Sequence, residues 1–145
     1  MNLTIPYWST IVGATGATYD APSLTATTQY RRITISTQNS VACESVPTAT
    51  VQVTVQSIPT AGTISAAQTI CNGGDPAAFT STVGTGSGTI SYRWESNTNL
   101  TTPSWSTIVG STGATYDAPS LTATTQYRRI TISTQNSVAC ESVPT

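Results

Sequence analysis

A near-perfect internal repeat constrains this chain more than any other feature. Residues Asn2 to Thr48 recur at Asn99 to Thr145, an offset of 97 residues, and 44 of the 47 positions are identical. Self-similarity at a fixed spacing is typical of an array, and this period is too long for a solenoid but fits a whole β-sandwich domain. We therefore expect the 145 residues to be one and a half units of a longer tandem run. The three differences between the copies are Ile5/Thr102, Tyr7/Ser104 and Ala14/Ser111.

The strand pattern predicts a boundary between units near Ser57. A domain that opens at Ser57 and closes with a strand such as Ala49–Gln56 has every strand except its last within residues 57–145. Residues 1–56 are then the C-terminal half of a preceding repeat. Met1 stands where the second copy has Thr98, which fits the start of a cropped reading frame.

The secondary-structure signals are almost entirely those of strands. Three valines alternate with polar residues over 51–56, and Ile90, Tyr92 and Trp94 alternate with polar residues in the same way, as expected of strands with one apolar face. About seven short strands per unit, bounded by Gly, Pro and Asn turn signals, predict an all-β fold of immunoglobulin-like (fibronectin III-like) antiparallel β-sandwich repeats. Further strand-like runs lie at 61–70, 77–83, 89–96, 105–109, 114–118 and 124–134.

The run 124–134 does not follow a simple alternation. Tyr127 and Arg129 share one parity, whereas Ile130 and Ile132 share the other. Either a β-bulge shifts the alternation or both faces of the strand are buried. The residues alone leave both alternatives open.

Composition excludes several classes of function. The chain has five Arg, no Lys and six acidic residues, with a formal net charge of -1, so it cannot build the basic surface that nucleic acid or an anionic membrane requires. It has no His, which removes the commonest general base and the commonest metal ligand. Asp75 and Asp117 belong to no calcium-loop pattern. We therefore expect no enzymatic activity, no metal, no cofactor and no insertion into a membrane.

The three cysteines indicate one disulfide per repeat. Cys43 and Cys140 occupy the same repeat position and Cys71 the other one, so the odd cysteine follows from the half unit. A bridge between Cys71 and Cys140 would close the second unit, with Cys43 serving the preceding repeat. Two alternatives stay open: a pair of free thiols, and a Cys43–Cys71 bridge if residues 2–98 close as a circular permutant.

Several motifs resemble one known family. TIC, SYRWES, WSTIVGSTGATYDAPSLTATTQYRR and ACESV resemble the immunoglobulin-like repeats of very large secreted surface proteins and adhesins of Bacteroidetes. The resemblance spans a whole unit and implies a Cys71–Cys140 bridge, export, commonly by the type IX route, and tandem use as a stalk or fibre, with no catalytic residue. It also implies core positions for Tyr92, Trp94, Trp105, Ile108, Tyr116, Leu121 and Tyr127.

Some of these residues also admit binding roles. Trp94 and Trp105 have the chemistry of a sugar-binding platform, although core packing is the simpler interpretation. Arg128 and Arg129 suggest a recognition patch or, more simply, a cross-strand ion pair with Glu95 or Asp117. The loop that differs between the copies is the candidate interaction surface, and it contains Ile5, Tyr7, Thr102 and Ser104.

These observations predict a structural module of an extracellular, cell-surface filament, stalk or adhesin. The alternative is a carbohydrate- or protein-binding adhesion module. The expected partners are neighbouring identical repeats, with surface glycans or proteins as the alternative. Because each incomplete half leaves sheet edges open, residues 57–145 either accept a last strand from a neighbour or leave closure to the permuted segment 2–98.

Overall fold

The structure, a computed structural model, describes residues 7–145 and is all-β throughout that range. The chain divides into two compact units, Met1–Val53 and Thr54–Thr145. Every strand pairing is antiparallel, which confirms the predicted all-β, antiparallel class. The strands are β1 (Thr28–Tyr30), β2 (Ile35–Gln38), β3 (Val41–Glu44), β4 (Val51–Val53), β5 (Thr63–Ile64), β6 (Ser81–Thr82), β7 (Thr89–Asn97), β8 (Ser106–Thr107), β9 (Gln126–Gln135) and β10 (Val138–Glu141).

The first unit consists of two small sheets. Strand β1 pairs with β4, with Tyr30 opposite Val51, and β2 pairs with β3. Its apolar side chains are largely open to solvent: Tyr19 is 46% exposed and Val51 is 64% exposed. Within residues 7–53, the unit thus contains the strands of half a repeat without a sheet to cover their apolar face.

The second unit has a four-stranded sheet and a smaller one. The larger sheet has the order β10-β9-β7-β8, and β5 pairs with β6 in the smaller sheet. Isolated bridges join Phe79 to Tyr116 and Gly74 to Leu121. The predicted strand-like run at 114–118 is therefore a single bridging position, whereas the run at 124–134 is part of the long strand β9.

The pairing of β7 with β9 resolves the irregular alternation of β9. Its register runs without interruption from Thr89↔Thr134 to Asn97↔Gln126, so no bulge is present there. Instead both faces of β9 are buried, because neighbouring Arg129 and Ile130 are 0% and 2% exposed.

Arg129 links the two sheets of the second unit. One guanidinium nitrogen donates to Ala114 O at 2.7 Å, and the other donates to Ala61 O at 2.9 Å and Thr82 O at 2.8 Å. The guanidinium lies 4.5 Å from the centre of the Tyr92 ring, close enough for a cation–π contact. Burial lowers the pKa of Arg129. One charged side chain thus holds three segments of the opposite layer.

Two further inward positions of β9, Thr131 and Ser133, are small and polar. Thr131 Oγ1 donates to Ala61 O at 2.9 Å, and Gly88 N donates to Ser133 Oγ at 2.8 Å. A Cβ atom at Gly84 would collide with the Thr131 side chain. The glycine-rich turn therefore approaches β9 so closely that only glycine on one side and a short side chain on the other fit.

An aromatic cluster fills the other end of the interface. Phe79 lies 5.0 Å from Tyr127 between ring centres, and Trp94 lies 5.5 Å from Tyr116. The Trp94 indole donates to Gly113 O at 2.9 Å, as a buried indole N–H requires. Phe79 contacts Trp94 and Tyr116 as well, although the sequence did not single it out.

The predicted core positions differ in their burial. Tyr92 and Trp94 are buried, at 8% and 0% exposure. The other five positions from the sequence are half-buried, namely Trp105, Ile108, Tyr116, Leu121 and Tyr127.

Replacing Arg129 tests its role as the link between sheets. We expect Arg129→Met to destabilise the second unit by about 3 kcal/mol, because buried carbonyls lose their donors. The matched variant is Arg32→Met, since Arg32 holds the same repeat position and is exposed, and its guanidinium donates to Ala17 O. We expect it to change stability by less than about 0.5 kcal/mol. Urea unfolding followed by tryptophan fluorescence measures both, and equal effects would contradict the assignment.

Candidate functional site

A band of charged side chains crosses the outer face of the four-stranded sheet. Arg93 on β7 donates from Nη2 to Glu141 Oε2 on β10 at 2.9 Å and from Nε to Glu95 Oε1 at 3.1 Å. Glu95 also accepts from Arg128 Nε on β9 at 2.6 Å. The Arg128 guanidinium then covers the Trp105 ring at 4.2 Å. The band therefore connects β10, β7 and β9 and reaches Trp105, the residue before β8.

The band clarifies the roles of the paired arginines. Glu95 lies directly opposite Arg128 in the β7–β9 register, so the predicted cross-strand ion pair is confirmed for Arg128. Arg129 points to the other face of the sheet and joins no ion pair within residues 7–145. Neighbouring arginines therefore have opposite environments, one in an ion network and one among carbonyls and rings.

The band shifts the protonation of its outermost carboxylate. The hydrogen bond from Arg93 holds the pKa of Glu141 below its usual value. The same hydrogen bond raises the pKa of Arg93. Both side chains remain partly exposed, so solvent screens the pair.

A groove of about 910 Å³ lies beside the first residues of β9. Trp105 and Arg128 form part of one wall, and the chain near Thr145 forms another. The apolar lining extends the aromatic cluster to the surface, which makes this groove a candidate binding site. Its main apolar residues are Ile64, Ile70, Phe79, Leu121 and Tyr127.

The two tryptophans of the second unit differ in what they offer a sugar. One face of the Trp105 ring is covered by Arg128, which already uses that surface for a cation–π contact. Trp94 is fully buried and therefore presents no open aromatic surface.

The loop that differs between the copies is exposed but held at its base. Asn97 is 1% exposed, and its Oδ1 accepts from Asn99 N at 3.0 Å and Ser104 N at 3.1 Å. Thr102 and Ser104 are exposed. In the first copy Tyr7 is 94% exposed, and Ile5 lies outside the described residues.

The three cysteines are free thiols, with Cys43 and Cys71 exposed and Cys140 half-buried. Cys140 lies opposite Ser133. Cys71 lines the groove together with Tyr127, and the seven residues of β9 from Tyr127 to Ser133 span about 20 Å. The structure forms no disulfide between Cys71 and Cys140. Both the Cys71–Cys140 and the Cys43–Cys71 pairings stay predictions.

The described residues contain no cluster suited to a metal. Within residues 7–145 no three or more Cys, Asp or Glu side chains converge. Over the same range no helix has the length and hydropathy needed to cross a bilayer.

The Glu141 pair predicts a pH dependence of stability. Because the folded pKa of Glu141 is depressed, the pair stabilises the second unit above the unfolded pKa of about 4.3. That contribution is lost as pH falls through the lower folded pKa. We expect Glu141→Gln to reduce the acid sensitivity of unfolding, and Glu44→Gln, at the same repeat position, to leave it unchanged. Thermal unfolding between pH 7 and about pH 2 measures this, and identical profiles for the two variants would contradict it.

Thiol accessibility tests the state of the cysteines. We expect all three to react with a maleimide in the native chain under reducing conditions, Cys43 and Cys71 quickly and half-buried Cys140 slowly. Mass spectrometry of the labelled peptides measures each site, and faster labelling of Cys140 than of Cys43 and Cys71 would contradict this expectation. A disulfide-linked peptide pair isolated from protein purified without reductant would identify the predicted pairing.

Comparison with known proteins gives a family without an assigned activity. A family model described as a domain of unknown function, DUF8696, matches residues 3–57 and 60–145. No curated protein and no solved structure matches the chain. The two matched stretches cover nearly the whole sequence, and the chain belongs to the DUF8696 domain family.

Proposed function

We propose that this chain is a structural module of an extracellular, cell-surface filament, stalk or adhesin built from tandem immunoglobulin-like repeats. One observation carries the proposal: the two copies of the sequence build the same local structure in both units. A module whose parts recur in this way is suited to an array. No catalytic role is assigned to any residue.

The recurrence extends to individual contacts. The hairpin turn has positive φ at both central residues in each copy, Asn39 and Ser40 in the first and Asn136 and Ser137 in the second. The arginine–tryptophan contact is 4.2 Å in both copies. A sequence that reproduces turn geometry and side-chain contacts in two settings specifies that structure locally.

Each copy also needs what the intervening segment supplies. Arg32 donates to Ala17 O at 2.9 Å and remains exposed, whereas its equivalent Arg129 also reaches Ala61 and Thr82. Ala61 and Thr82 belong to the segment between the copies. A tandem array supplies this segment to every copy, which supports tandem use over use as an isolated half.

The arrangement of the second unit supports the immunoglobulin-like sandwich. Strands β5 and β6, extended by the Phe79↔Tyr116 bridge, contribute one layer, and the sheet β10-β9-β7-β8 contributes the other. Arg129 and the aromatic rings connect the layers. Two antiparallel sheets with a buried tryptophan on a central strand are features of that architecture.

The extracellular assignment is supported by composition and by the resemblance to Bacteroidetes surface repeats. The chain has no Lys and only five Arg, of which Arg129 is fully buried. Few accessible basic residues leave few sites for trypsin-like proteases. A low-charge surface rich in Ser and Thr suits a module whose neighbours are copies of itself.

A binding role is the second candidate. The observation that favours it is the exposed loop containing Thr102 and Ser104, which Asn97 anchors and which differs between the copies. Surface glycans or proteins are the partners such a loop would contact. Binding of the chain to a glycan array, lost on deletion of Thr101–Thr102, would favour this role.

Protease treatment of intact source cells tests the proposed function. We expect an antibody against this repeat to detect a band of far higher mass than 145 residues on a reducing, denaturing gel. We expect proteinase K added to intact cells to remove it, while a cytoplasmic marker survives. A band that only lysed cells lose would contradict the surface assignment, and a band at the mass of the chain alone would contradict the covalent array.

A further inference from the structure

The groove of the second unit lies beside a sheet edge with unpaired backbone groups. Thr145 N donates to Arg129 O at 3.0 Å, and Ser142 N donates to Thr131 O at 2.9 Å. Backbone groups of alternate residues point to the same side of a strand, so Tyr127 and Thr125 also direct their N–H and C=O groups to this side. Among residues 7–145 no strand pairs with that part of the edge.

The first unit shows what pairs with the same edge. There β4 pairs with β1, with Tyr30 opposite Val51 and Thr28 opposite Val53. The repeat offset makes Tyr30 equivalent to Tyr127 and Thr28 equivalent to Thr125. The repeat therefore specifies both the sequence and the register of a strand for the open edge.

That strand has the side-chain pattern the groove requires. Residues directly opposite in an antiparallel pair share a face, so Val51 would lie beside Tyr127, whose ring contacts Phe79. In the first unit Val51 and Val53 remain 64% and 40% exposed. The second unit offers these valines a groove of about 910 Å³, larger than the groove of about 610 Å³ beside Tyr30 in the first unit.

The opposite face of the strand is matched as well. In the first unit Gln29 Nε2 donates to Gln52 Oε1 at 3.0 Å. Among the described residues, the side-chain hydrogen bond of its equivalent Gln126 uses Oε1, which accepts from Asn97 Nδ2 at 3.0 Å. The Gln126 amide N–H₂ can therefore donate to an incoming Gln52, as the Gln29 amide does in the first unit.

We propose that the edge Thr125–Tyr127 and its groove form a strand-acceptor site that binds the Thr50–Val55 strand of a second copy of this chain, which exchanges its pairing with β1 of its own unit for the acceptor edge. The main chain of that strand extends β9's open edge, and its valines enter the groove. A chain in which the repeat sequence continued beyond Thr145 would supply the same strand itself. This proposal rests on the proposed function and adds a partner to it, a second copy of the chain. It is tested on the purified chain, so its outcome does not depend on where the protein lies in the cell.

A synthetic peptide tests the acceptor site. We expect the fluorescein-labelled peptide ATVQVTVQ, the sequence of Ala49–Gln56, to bind the full chain saturably in fluorescence anisotropy. A peptide with Val53→Glu should bind at least about tenfold more weakly, because it places a carboxylate in the groove. The matched Gln52→Glu peptide, changed on the solvent face, should bind within about threefold. Equal binding of the two altered peptides would overturn the proposed orientation.

Matched changes in the chain identify the edge. Thr125→Pro removes the N–H from the open edge, and Thr28→Pro makes the same change in the first unit. We expect only Thr125→Pro to abolish peptide binding. Loss in both variants or in neither would overturn the proposal. If near-UV circular dichroism shows that Thr125→Pro is unfolded, a chain extended after Thr145 by the sequence ATVQVTVQ gives the test instead. In that chain the added strand fills the groove, so the labelled peptide should no longer bind. Peptide binding that persists in the extended chain would overturn the site.

The partner is tested by light scattering. We expect the 145-residue chain to form dimers or longer species as its concentration rises, and the extended chain to remain monomeric. A 145-residue chain that stays monomeric at every concentration would overturn the second copy as the occupant. Neither failure would alter the cell-surface result, so the two proposals fail separately.

Discussion

The second unit depends on one buried guanidinium. Arg129 donates to carbonyls of three segments of the opposite layer and lies between aromatic rings. A buried charge is unfavourable unless it is well hydrogen-bonded, so the surrounding backbone must hold its carbonyls in one arrangement. The core thus acquires a defined geometry from polar contacts, in a chain that is only 37% hydrophobic. Thr131 and Ser133 make further polar contacts to the backbone of neighbouring segments along the same face of β9.

Much of the architecture follows from sequence patterns. The alternation around Tyr92 and Trp94 predicts β7 and its buried face, and the glycine-rich segment before it predicts a turn. The repeat predicts that the structure recurs. These features are local or periodic, so they need no knowledge of which strands become neighbours. The all-β class was predictable for the same reason.

The candidate site was less predictable, because it depends on which residues meet across the fold. Arg128 and Arg129 are adjacent and chemically identical, and only the register against β7 separates an ion pair from a buried link. Phe79 lies in an unremarkable stretch, and its role arises from rings supplied by three other segments. The short hairpin strand β10 was also missed, although the Asn136–Ser137 pair between alternating residues was a signal for it.

The close match between the two copies has a consequence for folding. The segment from Thr54 to Thr98 has a near-identical potential partner on each side in the chain, one synthesised before it and one after it. Arg32 and Arg129 carry the same side chain, and the Ala61 and Thr82 carbonyls that accept from Arg129 lie in this shared segment. An early encounter of the segment with the first copy would therefore give a native-like structure with the wrong connectivity. The segment can therefore fold against either copy through nearly the same contacts. The rates of the two folding events differ because of the length of the loop that each one closes, not because of the chemistry of the contacts.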